Sequence, residues 1–445
     1  MDYFNKIQLP ENISSLNDIS DDNDNSINDL IEYLFTKKKF NEKEILKIYE
    51  TFFKKKLNEK IRENYFDLIT KFSHLILPII IKSKYPRQGI YQLLRLVDLV
   101  NPNFEFIESL IKNTFAHKKI SEILTFSGHA TTLLSSDKNL LEILDPYYKV
   151  KLNKNIKNFK NKFNKINLSN DEETILNKLR RIHRKFKFQI IVSIITDEIG
   201  VEEAAYEFSL LAYSTLEKAK DISLNLISKK NNFKRMMLDD FGILAYGRFA
   251  QSLMTSNSDL DLVFIFPDKN TNFPVKKKYQ TFYSQISQKI ISVLSSKTSE
   301  NFLYEVDTKL GPKQGFSNMC CTISEFKRFH EDGTFSWEKM ALRKSKLISV
   351  DTTFQQDLNK FIDKLKQRAI DKKNLINEIK KMRRISDKPK NNLIEKNSNS
   401  REVLNWYETK YSLGGQRDIE FLEFFYSNPK YNEIIENIEE KKYFI

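Results

Sequence analysis

Cysteine is almost missing from this 445-residue sequence, which carries two, side by side at Cys320 and Cys321. Adjacent thiols exclude a disulfide framework and a thiolate zinc site, and they point to a reducing, cytoplasmic setting. Glycine and proline are scarce at 10 each, too few for a many-turned all-β architecture or for collagen-like or linker-type sequence. Long apolar runs are lacking as well. The greasiest, residues 75–81, contains Pro78 and is far short of the roughly 20 residues that span a bilayer, so no membrane partner is expected. The opening Met1-Asp2-Tyr3-Phe4-Asn5 has neither the basic region nor the apolar core of a signal peptide. The five histidines, His74, His117, His129, His183 and His330, show no ligand spacing and read as structural or surface residues.

Apolar residues at 40% and aromatics at 12% set the chain apart from disordered sequences. At about 150 residues per domain the length suggests two to four domains. The net charge of +14, from 73 Lys+Arg against 59 Asp+Glu, raises nucleic acid as a partner. The dense basic clusters, at 149–165, 180–187 and 364–384, fall on helical stretches, however, beside heavy use of Asn, Ile and Phe. The charge therefore reads as a coat on helix surfaces, and nucleic acid is not the expected partner.

Residues 1–28 read as a polar, disordered lead-in, and 29–228 carry a helical signal. Leu152, Ile156, Phe159, Phe163 and Ile166 step by three and four, one apolar stripe on a Lys/Asn-coated helix. Ser169 with Glu172 gives a capping-box signal. The helix that follows places Ile175, Leu176, Leu179, Ile182 and Phe186 at core spacing, with Arg180, Arg181, Arg184 and Lys185 expected on a solvated basic face. From about Asp239 the texture changes. Runs at 241–246, 260–266 and 302–307 read as strands, with a helix at about 276–295 between the second and third. That order predicts an α/β domain at 229–350. Residues 351–445 are helical again, broken by a Lys/Asn/Ser-rich loop at 386–401.

Chemistry concentrates in the α/β domain. Asp259 and Asp261 flank Leu260 at the start of an apolar strand, and side chains two apart on a strand share a face. Two carboxylates held together repel and call for a cation, and oxygen-only ligands suit Mg²⁺. Asp307 ends the later strand. Three carboxylates on neighbouring strands are the donor set for two Mg²⁺ ions acting on a nucleoside triphosphate. Trp337 reads as an anchor for a helix, and Cys320–Cys321 as ordinary packing.

The order and spacing of these residues resemble the polymerase-β-type nucleotidyltransferase domain. More closely they resemble the glutamine synthetase adenylyltransferase (glutamate–ammonia-ligase adenylyltransferase) family. Four motifs carry the likeness in order: Ser258-Asp-Leu-Asp-Leu262 behind a Gly loop, Leu303-Tyr-Glu-Val-Asp307, Ser336-Trp-Glu-Lys-Met-Ala-Leu342 and Lys410-Tyr-Ser-Leu-Gly-Gly-Gln-Arg-Asp-Ile-Glu-Phe421. The resemblance implies a mostly helical α+β chain: a helical N-terminal region, a polymerase-β-like α/β core and a shortened C-terminal helical domain. It favours the C-terminal, adenylylating half of the family's longer, two-headed proteins, and implies a single-headed relative.

The implied reaction moves AMP from ATP to a protein hydroxyl, a tyrosine of glutamine synthetase, to regulate nitrogen assimilation. A PII-type signalling protein is an implied second partner. Asp259, Asp261 and Asp307 would be the catalytic, Mg²⁺-binding carboxylates. Gly247, Ala250, Gln251, Ser258 and Lys309 would face the nucleotide. Several positions depart from the family pattern. Ala250-Gln251 stands where the family has Gly-Gly, so the glutamine is expected to crowd the phosphates or to need an altered loop. Lys309 and Gly311 stand where it has two arginines, and Lys344 and Lys346 replace two more. Two other readings stay open: a weakened or inactive relative acting as a regulatory protein, and a polynucleotide nucleotidyltransferase.

Overall fold

Apolar residues at three- and four-residue spacing build the first half of the chain into helices. A computed structural model describes residues 60–145, 156–231, 240–268, 279–312, 319–333 and 335–368, with 374, 376–378, 380, 381, 419 and 420. The expected lead-in at 1–28, the loop at 386–401 and all but two residues of the motif at 410–421 lie outside the described residues. Two compact units emerge: Met1–Ile166 with Asn177–Leu211, and Asn167–Leu176 with Ala212–Ile445.

In the first unit, α1 (Lys60–Ile81) buries Ile69, Phe72, Ile76 and Ile80 on one stripe. Helix α2 (Pro86–Val100) starts with proline, whose missing N–H has no intrahelical partner to lose. Helix α3 (Phe104–Lys112) is capped by Asn103, whose side chain accepts from the Phe106 N–H. After α4 (His117–Phe126), the Ser127 hydroxyl accepts from the Ala130 N–H to start α5 (Gly128–Ser136).

Helix α6 (Ile156–Asn164) carries the stripe read from the sequence. Phe159, Phe163 and Ile166 are buried, and the Phe159 ring meets Phe186 edge-on at 4.8 Å. Leu152 lies outside the described residues. Helix α7 (Glu172–Ile195) corrects two expectations. Its cap is Asp171, whose carboxylate accepts from the Thr174 N–H at 2.9 Å, while Ser169 turns to Asn167. The helix starts one residue after Asp171, so a serine three residues from Glu172 sits too early to cap it. The basic face is solvated only in part: Arg181 is exposed and Lys185 half-buried, but the other two arginines are not. Arg180 and Arg184 are 2% and 9% exposed. Arg184 pairs with Asp137 at 3.2 Å and Lys185 with Glu142 at 3.2 Å, beside the 3₁₀ segment Lys138–Leu144.

Helix α8 (Val201–Asn231) contributes residues to both units. Among the described residues the second unit holds a five-stranded mixed sheet, in the order β3 (Val306–Asp307), β2 (Leu260–Phe266), β1 (Gly242–Ala245) and β5 (Lys346–Leu347), with β4 (Cys320–Thr322) also on β2. Strand β2 (Leu260–Phe266) pairs antiparallel with β1 (Gly242–Ala245) and parallel with β3 (Val306–Asp307) and β4 (Cys320–Thr322). Near-unbroken burial along β2 explains its continuous apolar run. Helix α10 (Tyr279–Ser295) sits between β2 and β3 in the chain, after the one-turn α9 (Gly247–Ala250). Only the end of the expected 302–307 strand is extended pairing. The Leu303 and Tyr304 N–H groups both donate to Leu294 O, tying that stretch to the end of α10.

The second unit continues through α11 (Ile323–Arg328), a π-helical turn at Phe329–Gly333, α12 (Ser336–Arg343), β5 (Lys346–Leu347) on β1, and α13 (Thr353–Lys366). Leu244, Tyr246, Val263, Ile265, Phe326, Leu358 and Ile362 form the core there, together with Cys321, whose thiol faces Phe264 O. Among the described residues the fold is thus α+β, mostly helical with one small mixed sheet. Among the described residues no helix is long and apolar enough to cross a membrane.

Candidate active site

The β1–β2 connection is shaped by one backbone bond and one glycine. At the end of β1 the Tyr246 N–H donates to Asp261 O at 2.9 Å, which fixes the loop against β2. Gly247 follows with φ +60°, in the left-handed region that glycine adopts without steric cost. A Cβ at this position would lie 2.4 Å from Asp261 Oδ2. The loop backbone and the Asp261 carboxylate are therefore in close approach.

Ala250 is buried at the end of the short α9, and Gln251 is its exposed C-cap. The Gln251 Nε2 donates to Gly247 O at 3.1 Å, so the side chain folds back along its own helical turn. Ser258 prepares the strand. Its hydroxyl accepts from the Thr255 N–H at 2.9 Å, and its own N–H donates to Thr255 O, closing a turn that delivers Asp259 to β2.

Leu260 is fully buried, while Asp259 is exposed and Asp261 half-buried, as strand alternation requires. The Leu260 N–H donates to Glu305 O, and the parallel register sets Asp261 opposite Asp307. Lys309 then grips Asp307 twice. Its backbone N–H donates to Oδ1 and its Nζ to Oδ2, each at 2.8 Å. Burial pushes the Asp307 carboxyl up, but the hydrogen bonds and charge of Lys309 outweigh this and leave it below its ordinary range. The hydrogen bond to Asp307 raises Lys309, helped by the charges of Asp307, Asp261 and Asp259.

The backbone thus brings together Asp259, Asp261, Asp307, Gly247, Ser258 and Lys309. Ala250 and Gln251 stand at the end of α9. Three oxygen-only donors at adjoining backbone positions match Mg²⁺ in ligand type. Among the described residues, no three His, Cys, Asp or Glu side chains gather as a metal cage. Lys344 caps the C-terminus of α12 and Lys346 is exposed in β5 opposite Ala245. Trp337 is half-buried, its backbone N–H donating to the Glu378 carboxylate at 3.3 Å.

Two supports escaped the sequence. Tyr246 positions Asp261 through its main chain, which no side-chain pattern encodes. Asp268, after β2, accepts from the Ser324 N–H and hydroxyl at 3.1 and 2.7 Å at the start of α11. Its Pro-Asp setting signals only a loop.

The family model for glutamate-ammonia ligase adenylyltransferase matches residues 117–361, more than half of the chain. A bifunctional glutamine synthetase adenylyltransferase/adenylyl-removing enzyme of Alteromonas mediterranea is 24% identical over 385 residues, covering 83% of this chain and 38% of that protein. The protein of the same name from Psychromonas ingrahamii is 25% identical over 326 residues, covering 71% of this chain and 34% of the relative. That from Bradyrhizobium diazoefficiens is 24% identical over 254 residues, covering 56% and 24%. The chain thus spans between about a quarter and two fifths of the length of these curated relatives. With its sheet, its Ser-Asp-Leu-Asp-Leu strand and more than half its length matching, the chain belongs to the glutamate–ammonia ligase adenylyltransferase family.

Proposed function

We propose that the chain transfers AMP from ATP to a protein hydroxyl, with a tyrosine of glutamine synthetase as acceptor. The observation that carries this reading is the facing of Asp261 and Asp307 across parallel strands, with the Gly247 loop closed over Asp261. The relatives' names, which specify glutamine synthetase adenylyltransferases, support the choice of acceptor. In this reading residues 229–350 are the nucleotidyltransferase domain, polymerase-β-like in kind. Residues 29–228 are a helical region and 351–445 a helical domain. A PII-type protein would be a regulatory partner, and the cytoplasm the setting.

Asp259, Asp261 and Asp307 would hold Mg²⁺, which when bound neutralises triphosphate charge. The acceptor hydroxyl attacks the α-phosphorus, the bond to the bridging oxygen breaks, and pyrophosphate leaves with its electron pair. Asp307 helps to activate the hydroxyl. The backbone at Gly247 approaches the nucleotide closely because it has no Cβ. Gln251 leaves that approach open by folding onto Gly247 O. Lys309 offers an ammonium to the phosphates.

A second reading, a regulatory relative with little transfer activity, draws on Gln251 and Gly311 at positions where phosphate-contacting residues are expected. One experiment separates them. The full chain is incubated with α-labelled ATP, Mg²⁺ and either glutamine synthetase or RNA. Labelled glutamine synthetase, lost in Asp261→Asn, is the expected result. Unlabelled protein with no Mg²⁺-dependent ATP binding would establish the regulatory reading, and labelled RNA a polynucleotide substrate.

A further inference from the structure

Lys309 is bound to the Asp307 carboxylate by two contacts of very different strength. Its backbone N–H donates to Asp307 Oδ1, a bond set by the chain itself two residues along. The second contact is Nζ to Oδ2 at the end of a side chain that is 85% exposed. Such an ion pair is readily exchanged, because water and salt screen it and a long stem must be immobilised to keep it. The acceptor on the other side is more permanent. Asp307 is held in the register of β3 opposite Asp261, and Asp259 lies just before the strand that carries Asp261. The charges of Asp261 and Asp307 at facing positions repel each other and favour a nearby cation, and Asp259 adds to that field.

We propose that Lys309 is a removable internal counter-cation, whose ammonium holds Asp307 Oδ2 and must leave it before a divalent ion binds there. The amide bond to Oδ1 stays in place and keeps the carboxylate aimed. The displaced ammonium remains tethered beside the cluster, where an incoming polyphosphate offers it a new anionic partner. Lysine suits this role, since its point charge is held at one oxygen, whereas an arginine fork grips both through parallel bonds. The proposal rests on the reading of Asp259, Asp261 and Asp307 as a divalent-cation site, and it adds a competition that this reading does not require. Lys309 is then a positioning residue that tunes cation affinity before any nucleotide arrives.

The test uses the full chain without nucleotide and follows Mn²⁺ binding by the loss of the free-ion electron paramagnetic resonance signal. Removing the competitor in Lys309→Met should tighten Mn²⁺ binding by about two- to fivefold, the range set by an exposed ion pair. Lys309→Arg should bind Mn²⁺ no more tightly than the native chain. Added potassium chloride should narrow the gap between the native chain and Lys309→Met, since it screens the pair. The control is Asp261→Asn. If it abolishes Mn²⁺ binding while Lys309→Met matches the native chain or binds more weakly, the cation site stands and the competition is overturned. If no Mn²⁺ binding depends on Asp261, the underlying site fails and the proposal falls with it.

Discussion

Gly247 shows how much of the site hangs on a missing carbon. Its φ of +60°, and the mere 2.4 Å that would separate a Cβ here from Asp261 Oδ2, are two independent reasons for glycine. The left-handed conformation costs an L-residue about 1–2 kcal/mol. The close contact adds a displacement of Asp261 itself. Gly247→Ala should therefore lower stability by ~1–2 kcal/mol. It should also cut AMP transfer by about 100-fold, the scale on which a misplaced reacting group is felt. Thermal denaturation and the labelled-AMP assay measure the two effects. Near-native transfer would mean that Asp261 does not need its present position. The sequence marked Gly247 as loop-forming but hid its contact with Asp261, which follows from the Tyr246–Asp261 backbone bond. Gln251 shows the opposite failing: its bulk was legible and its rotamer was not, since its side chain donates to Gly247 O.

At the scale of elements, legibility followed how locally each element is determined. Strand β2 was readable to the residue, because a strand buried along nearly its whole length is a plain apolar run. The stretch 302–305 looked equally strand-like, yet its N–H groups at Leu303 and Tyr304 bond to Leu294 at the end of α10, a partner no local pattern reveals. The ion pairs of Arg184 and Lys185 on α7 were hidden for the same reason, since Asp137 and Glu142 lie more than forty residues earlier in the chain.

Gln355 is a long-range tie of this kind. It is 2% exposed, its Nε2 donates to Phe241 O at 2.8 Å, and its Oε1 accepts from the Asp351 and Thr352 N–H groups. It thereby caps α13 and holds the entry to β1. Gln355→Leu would strand a buried carbonyl and remove half of the capping box, so a loss of ~2–3 kcal/mol is expected. Urea unfolding of the full chain measures it, and a change below ~0.5 kcal/mol would show that water or another group replaces the tie.

The molecule as a whole should be sensitive to acid, and histidine rather than the net charge sets where. His330 is 4% exposed, packed edge-on by Phe326 and Phe329 at 4.5 and 5.0 Å, with neither ring nitrogen hydrogen-bonded among the described residues. Burial, with the Lys339 charge adding to it, lowers its pKa from 6.5 to about 4. Burial lowers His129 to about 4 as well, aided by Lys187 and Arg95, and holds His183 well below its ordinary value. For His330 and His129 the unfolded chain takes up a proton near pH 6.5, and the folded chain resists until about pH 4. Protons thus favour unfolding within that window. The stability is fully present above pH 6.5 and drains away as pH falls towards 4. For His330 alone the loss reaches up to ~3 kcal/mol. A chain already at +14 also gains repulsion as it takes up further positive charge, which acts in the same direction. The melting temperature should be flat above about pH 7 and fall steeply from about pH 6.5 to 4.5. His330→Leu removes the titrating group and the two unbonded nitrogens together. It should therefore keep or raise the melting temperature at about pH 7 and make the acid fall shallower. An acid limb identical in the native chain and in His330→Leu would show that this histidine is protonated without cost, and that the burial of its ring is not what limits the fold in acid.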